Sequence, residues 1–164
     1  MGYVGSHTWQ LRQLVGSRLL VMPGAQVLLV DDQERVLFQR RTDTGLWAVP
    51  AGSAEPGVTF AGTAVAEIRE ETGLVVAEED LVPFGCLSDP GVHLVTYPNG
   101  DRTHCFAMCF AARRWSGDLA VDDEEVLEVA FADAAAPPGP LQPQTAAVLD
   151  MYAAFQRTGR FQAR

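Results

Sequence analysis

The chain is poor in positive charge, in cysteine and in long apolar runs. Twelve basic residues against twenty-one acidic ones leave a net charge of −9. That balance excludes duplex nucleic acid as a partner, because backbone binding needs a surface rich in Lys and Arg. The three cysteines, Cys86, Cys105 and Cys109, are an odd number without CxxC or Cys/His spacing, which argues against a disulfide framework and a zinc site. They are expected as small core hydrophobes. No apolar stretch approaches the ~20 residues of a membrane span, and the polar Gly5 to Thr8 near the start is unlike the apolar region of a signal peptide. The expectation is a protein with no membrane partner, cytoplasmic by default.

What is present suits one domain: 164 residues are enough to bury roughly 70% of the surface of the unfolded chain. An acidic domain can still hold a phosphate if a cation lies between the two negative partners. Apolar periodicity predicts a short helix over Ser6 to Val15, ending near Gly16, with Trp9, Leu11, Leu14 and Val15 as its apolar members. Arg18 to Val30, the polar turn Asp31 to Glu34, and Val36 to Phe38 read as a β-hairpin. Trp47 to Pro50 is a short extended piece and Ala51 to Gly57 a loop. The period turns helical from Thr59 to Thr72, with Gly73 placed to cap the C-terminus. Strands follow at Leu81 to Leu87 and Thr103 to Ala112, separated by a loop from Ser88 to Arg102, and then at Val126 to Phe131. A last helix covers Gln144 to Gln156, and there is no internal repeat. Such a mixture is α/β or α+β, with helices packed on a mixed sheet.

The chemistry is concentrated between Gly52 and Leu74. On a helical wheel Glu71 lies about 40° to one side of Glu67 and Glu70 about 60° to the other. Three carboxylates therefore share one sector, while Ala61, Ala64, Val65, Ile68 and Thr72 form the adjoining apolar one. Like charges at that spacing oppose helix formation by a few tenths of a kcal/mol. A hard divalent cation would offset the repulsion, since Mg²⁺ and Mn²⁺ take oxygen ligands. A solvated acidic face, with Arg69 as a nearby counter-charge, is the other reading of the same helix.

The loop before the helix adds a second signal. Gly52, Glu67, Ile68, Glu70, Glu71, Gly73 and Leu74 match seven of the nine fixed positions of a known box. This segment resembles the signature of the Nudix hydrolase family, and the resemblance extends to Gln39-Arg40-Arg41 and to Gly45 through Pro50 ahead of it. It implies a Nudix-like α/β/α sandwich with a mixed β-sheet between helices, residues 1–164 forming a single domain. It also implies a pyrophosphohydrolase that uses Mg²⁺ or Mn²⁺, held by Glu67, Glu70 and Glu71, to direct water at a nucleotide diphosphate. The two departures are Val58 and Ala66, where the family has a Glu and an Arg that pair; Ala51 also stands where a second glycine is usual. Losing both members of a pair leaves no buried orphan charge, so the change is read as a replaced brace.

Arg40 and Arg41 suit phosphate contacts through their guanidinium forks, or are ordinary arginines at a strand end. The general base is Glu70, or a residue of the acidic stretch Asp122 to Glu128, with Glu124 and Glu125 as candidates. Trp47 is expected in loop packing, and His93 and His104 carry no spacing that assigns them a role. Tyr97, with Asn99, Asp101 and Arg102, offers stacking and polar groups for a small-molecule nucleotide. Pro90 stands near the position of a proline in ADP-ribose-cleaving relatives of the family. The substrate expected first is ADP-ribose or a nucleotide sugar; a nucleoside triphosphate, or ligand binding without turnover, stays open, as does a homodimer.

Overall fold

Local capping chemistry sets the ends of the helices. Ser6 Oγ accepts from the Trp9 N–H and starts α1, His7–Val15. Thr59 Oγ1 accepts from the Gly62 N–H and starts α2, Phe60–Thr72, which stops where Gly73 turns left-handed at φ 73°. A Cβ-free residue adopts that conformation without steric cost. The computed structural model describes residues 4–97, 99–121 and 125–164. Its strands are β1 Leu20–Leu29, β2 Val36–Arg41, β3 Trp47–Ala48, β4 Ala51–Ser53, β5 Val82–Leu87, β6 Leu94–Thr96, β7 Arg102–Ala112, β8 Val126–Ala132 and β9 Gln162–Ala163. A single turn, α3 Pro90–His93, precedes β6, and α4 spans Pro143–Thr158.

Six strands form a mixed sheet in the order β4-β1-β7-β5-β9, with β6 also on β7, and three form a smaller sheet, β3-β2-β8. Strand alternation gives β1 two apolar faces. Leu28 and Val30 meet Val148 and Met151 of α4 in one core, whereas Ala25, Val27 and Leu29 meet Ala64 and Ile68 of α2 in the other. The large sheet is therefore the middle layer between α2 and α4, as the resemblance implied. No helix among the described residues is long and apolar enough to cross a membrane.

Three expectations need correction. The hairpin of β1 with β2 does not form: the strands lie in different sheets and share a single bridge, Val30 to Val36. Both edges of β1 are already taken, by antiparallel β4 and parallel β7. The loop Ser88 to Arg102 is built instead from α3 and from β6, which pairs with β7 through Leu94–His104 and Thr96–Arg102. On α1 the residue turned inward is Arg12, while Leu14 is 82% exposed. Arg12 donates to the carbonyls of Gly16, Arg18 and Arg102 and to Thr103 Oγ1. Four acceptors outweigh the apolar spacing that pointed to Leu14, because a buried guanidinium is stable only when its donors are met.

Candidate active site

α2 presents its carboxylates unequally. Glu71 is buried, at 3% exposure, Glu67 is half-buried and Glu70 is exposed. Glu71 Oε2 accepts from Gln39 Nε2 at 2.9 Å and from the Ala51 N–H at 3.0 Å, and its Oε1 accepts from Arg41 Nη1 at 2.6 Å. Gln39 and Arg41 are two apart on β2, so they share a face, and that face is turned to the helix. The Glu67 carboxylate lies against Gly52 so closely that a Cβ there would stand 2.0 Å from it. Gly52 thus admits the acid where any other residue would push it away.

Burial pushes the Glu71 carboxyl up to about 8, more than Arg41 and the bonds from Gln39 and Ala51 hold it down, with Glu67 adding to the rise. Burial also raises Glu67, and the charge of Glu125 adds to it. Negative charge here is poorly solvated, and a cation would stabilise the ionised forms. The donors are all oxygens, and the buried Gln39 Oε1 has no hydrogen-bond partner among the described residues. These features fit a hard, oxygen-seeking ion such as Mg²⁺ or Mn²⁺. Among the described residues no three His, Cys, Asp or Glu side chains form a ready-made metal-holding group. Glu67 and Glu71 are turned inward against β4 and β2, while Glu70, on the other side of Glu67 on the wheel, is exposed.

The two arginines part company. Arg41 is ringed by Glu71, by Glu125 Oε2 at 3.5 Å and by Asp43 Oδ1 at 3.6 Å, and these acids raise its pKa against the effect of burial. Arg40 leans toward Glu128, 3.9 Å away, and its buried Nε lacks a hydrogen-bond partner among the described residues. Glu125 is tied down through its carbonyl, which accepts from the Thr42 N–H and Oγ1. Glu124 lies outside the described residues, as do Asp122, Asp123 and Pro98. Tyr97, half exposed at the β6–β7 turn, is raised by burial and lies in the fields of Asp43, Arg12 and Arg41.

Val58 and Ala66 are both exposed, so no brace joins the positions of the missing pair. The tie of strand to helix is Arg41 to Glu71 instead. Sequence reasoning quoted Gln39 only as part of the resemblance, without a role, and gave Arg41 to phosphate or to an ordinary strand end. Their spacing of two, on a strand just ahead of the box, was the available signal. Trp47, expected in loop packing, lies on β3 and packs into the core. His93 is buried, its Nδ1 facing the carbonyls of Leu87 and Cys105, and His104 Nε2 donates to the Ser88 carbonyl. Of the cysteines, Cys109 is buried and Cys86 and Cys105 are partly so, and all three are free thiols.

Comparison with known proteins addresses the same span. A family model described as NUDIX domain matches residues 21–152. A stretch of 50 residues is 40% identical to the "Putative 8-oxo-dGTP diphosphatase" of Bacillus subtilis, covering 30% of this chain and 34% of that protein. Another of 89 residues is 33% identical to the "Putative mutator protein MutT4" of Mycobacterium tuberculosis, covering 52% and 32%. These matches span about a third of the curated relatives' own length. Among solved structures, the MutT NUDIX hydrolase from Burkholderia pseudomallei aligns with a TM-score of 0.68 at 20% identity, covering 80% of this chain and 98% of that one. The ADP-ribose pyrophosphatase from Streptococcus suis aligns at 0.63 and 18% identity, covering 87% and 97%. At that identity the likeness concerns the fold. The sequence match takes in β2, the Gly52 approach and all of α2, and with it the chain belongs to the NUDIX domain family.

Proposed function

We propose that the protein is a divalent-cation-dependent hydrolase of phosphoric anhydride bonds, acting on a nucleoside diphosphate linked to another moiety. The observation that carries this reading is the pair Glu67 and Glu71, brought to one side of α2 and packed against Gly52 and Ala51. Glu67 and Glu71 would hold Mg²⁺ or Mn²⁺, with Glu70 as a further ligand or as the base. Such an ion, when bound, neutralises phosphate oxygens and lowers the pKa of water. Arg41 and Gln39 orient Glu71. Glu70 or Glu125 takes the proton from water at a carboxylate oxygen as the water oxygen bonds to phosphorus. The bond from that phosphorus to the bridging oxygen breaks, and the leaving phosphate keeps its electrons.

ADP-ribose or a nucleotide sugar is the substrate class we favour, because Tyr97, exposed where β6 turns into β7, offers a ring to the part of a substrate beyond its phosphates. The second reading, a nucleoside triphosphate, draws on the relative named as an 8-oxo-dGTP diphosphatase. α1 and β9 fall outside the matched span yet join the large sheet through Arg12 and through β5, which supports one domain over 1–164. We place the protein in the cytoplasm. Turnover with Mg²⁺ and with Mn²⁺ should be measured on ADP-ribose, a nucleotide sugar, a nucleoside triphosphate and a diadenosine polyphosphate. Glu67→Gln and Glu71→Gln should each lower the best rate by orders of magnitude. Undiminished turnover in both variants would move the chemistry elsewhere, and no turnover of any substrate by the wild type would leave a binding domain.

A further inference from the structure

α1 lies ahead of the matched residues 21–152, and where it meets the loop before α2 it leaves a groove of about 540 Å³. The walls are fixed. The Glu55 carboxylate accepts from the His7 N–H at 3.0 and 3.1 Å, which also places an acid at the N-terminus of α1, and the Ala54 N–H donates to the Pro23 carbonyl. Inside, Val21, Val58 and Phe60 are apolar yet 67%, 46% and 39% exposed. Val58 is the residue that stands in place of an acid of the family box, and an acid there would put a charge on this apolar wall.

We propose that this groove binds the nucleobase of the substrate whose phosphates meet Glu67, an assignment that rests on the hydrolase reading above. Three observations point to that occupant. Phe60 and Glu67 are seven residues apart on α2, which puts them on one face about 10 Å apart along the axis, a span that suits a base and the diphosphate it carries. The volume lies in the range of small-molecule pockets, roughly 300–1,000 Å³. The lining combines a ring for stacking, Phe60, with the hydroxyls of Thr8, which donates to Met22 Sδ, and of Thr59, which accepts from the Gly62 N–H and keeps its own proton to donate; that suits a flat heteroaromatic group with polar edges. Glu55 also lines the groove, three residues past the Gly52 that lies against the Glu67 carboxylate, so groove and carboxylate are joined by one short stretch of chain.

Met22 lines the groove, whereas Met108 and Met151 lie outside it and report on the rest of the fold. Protein labelled with ¹³C in its methionine methyls should be titrated, with Mg²⁺ present, with AMP, GMP and ribose 5-phosphate. The nucleotides should move the Met22 resonance and leave Met151 in place, and ribose 5-phosphate should not move Met22. Leu11→Trp, which fills the groove, should weaken nucleotide binding at least tenfold, with Met151 unshifted to show an intact fold. The proposal is overturned if ribose 5-phosphate moves Met22 as far as AMP does, or if Met22 shifts on dilution alone, which would mark contact between copies of the chain. Nucleotides that bind without moving Met22 would also overturn it. A Met22 response without hydrolysis of any anhydride would sink the hydrolase reading and keep the groove. Hydrolysis of a nucleotide whose titration leaves Met22 still would do the reverse.

Discussion

Arg41 Nη1 stands 2.6 Å from Glu71 Oε1, and this contact ties the small sheet to the box helix. Positions 58 and 66, in the loop before that helix and on it, hold no such pair and are both exposed. The acid that Arg41 holds is buried, so the arrangement is strong only while both charges are present.

Arg41→Met should therefore leave Glu71 with the bonds from Gln39 and Ala51 alone. In metal-free protein the loss is expected at about 1–3 kcal/mol, the usual range for a buried polar group deprived of its partner. Urea unfolding with and without saturating Mg²⁺ tests the assignment. The cation should stabilise the variant more than the wild type, because the Arg41 guanidinium no longer competes with it for the Glu71 carboxylate. Equal increments in the two proteins would mean that Arg41 and the cation act on separate carboxylates.

Gly52 and Gly24 make a contrasting pair. A Cβ on Gly52 would meet the movable Glu67 carboxylate at 2.0 Å, while one on Gly24 would meet the backbone oxygen of Gly52 at 2.4 Å. Gly52→Ala is expected to cost activity at least about 100-fold, as misplacement of a reacting group by 1 Å can, with little change in melting temperature. Gly24→Ala should instead destabilise the fold by about 1–3 kcal/mol. The paired measurement is kcat/KM beside a thermal melt, and a Gly52→Ala protein of normal activity would remove Glu67 from the mechanism.

The box helix was legible because its period from Thr59 to Thr72 and its Gly73 stop agree, and local consistency of that kind survives into the fold. Glu67 and Glu71 came with it. What was not legible depends on contacts far along the chain. β2 was assigned to β1 because the two are neighbours in sequence, yet strand choice depended on which edges β4 and β7 had left free. The inward turn of Arg12 depends on carbonyls as far away as Arg102, and no apolar pattern on α1 could announce it. The pairing of Arg41 with Glu71 spans thirty positions in the same way.

Restoring the missing box pair should accomplish little. Val58 and Ala66 are both open to solvent, and an exposed ion pair is typically worth about 0–1 kcal/mol. A double-mutant cycle over Val58→Glu and Ala66→Arg is expected to show coupling below about 0.5 kcal/mol in stability, with no gain in kcat. A larger coupling, or a faster enzyme, would show that these positions can still carry a brace.

His93 supplies the pH dependence. Its Nδ1 faces two carbonyls, of Leu87 and Cys105, so the proton of the neutral ring sits there, and Nε2 must accept from Gln26 Nε2 at 2.8 Å. Burial lowers its pKa below the ordinary 6.5, against the pull of those carbonyls, while the charges near it, His104 and Asp89, oppose one another. A base whose folded pKa is depressed stabilises the fold fully above its unfolded value. That contribution is lost as pH falls through about 6.5 toward the folded pKa, because the unfolded chain then binds the extra proton. Urea unfolding of wild type and His93→Gln between pH 8 and 5 should show the wild type losing stability faster below pH 6.5, by at most about 1.4 kcal/mol per pH unit. Other titrating groups, Glu71 among them, are common to both proteins and cancel in the difference. Parallel profiles would mean that His93 takes up its proton in the fold as readily as in the unfolded chain, and a wild type that gains stability relative to the variant as pH falls would mean a charged ring, with the Gln26 amide turned to offer Oε1 to Nε2–H.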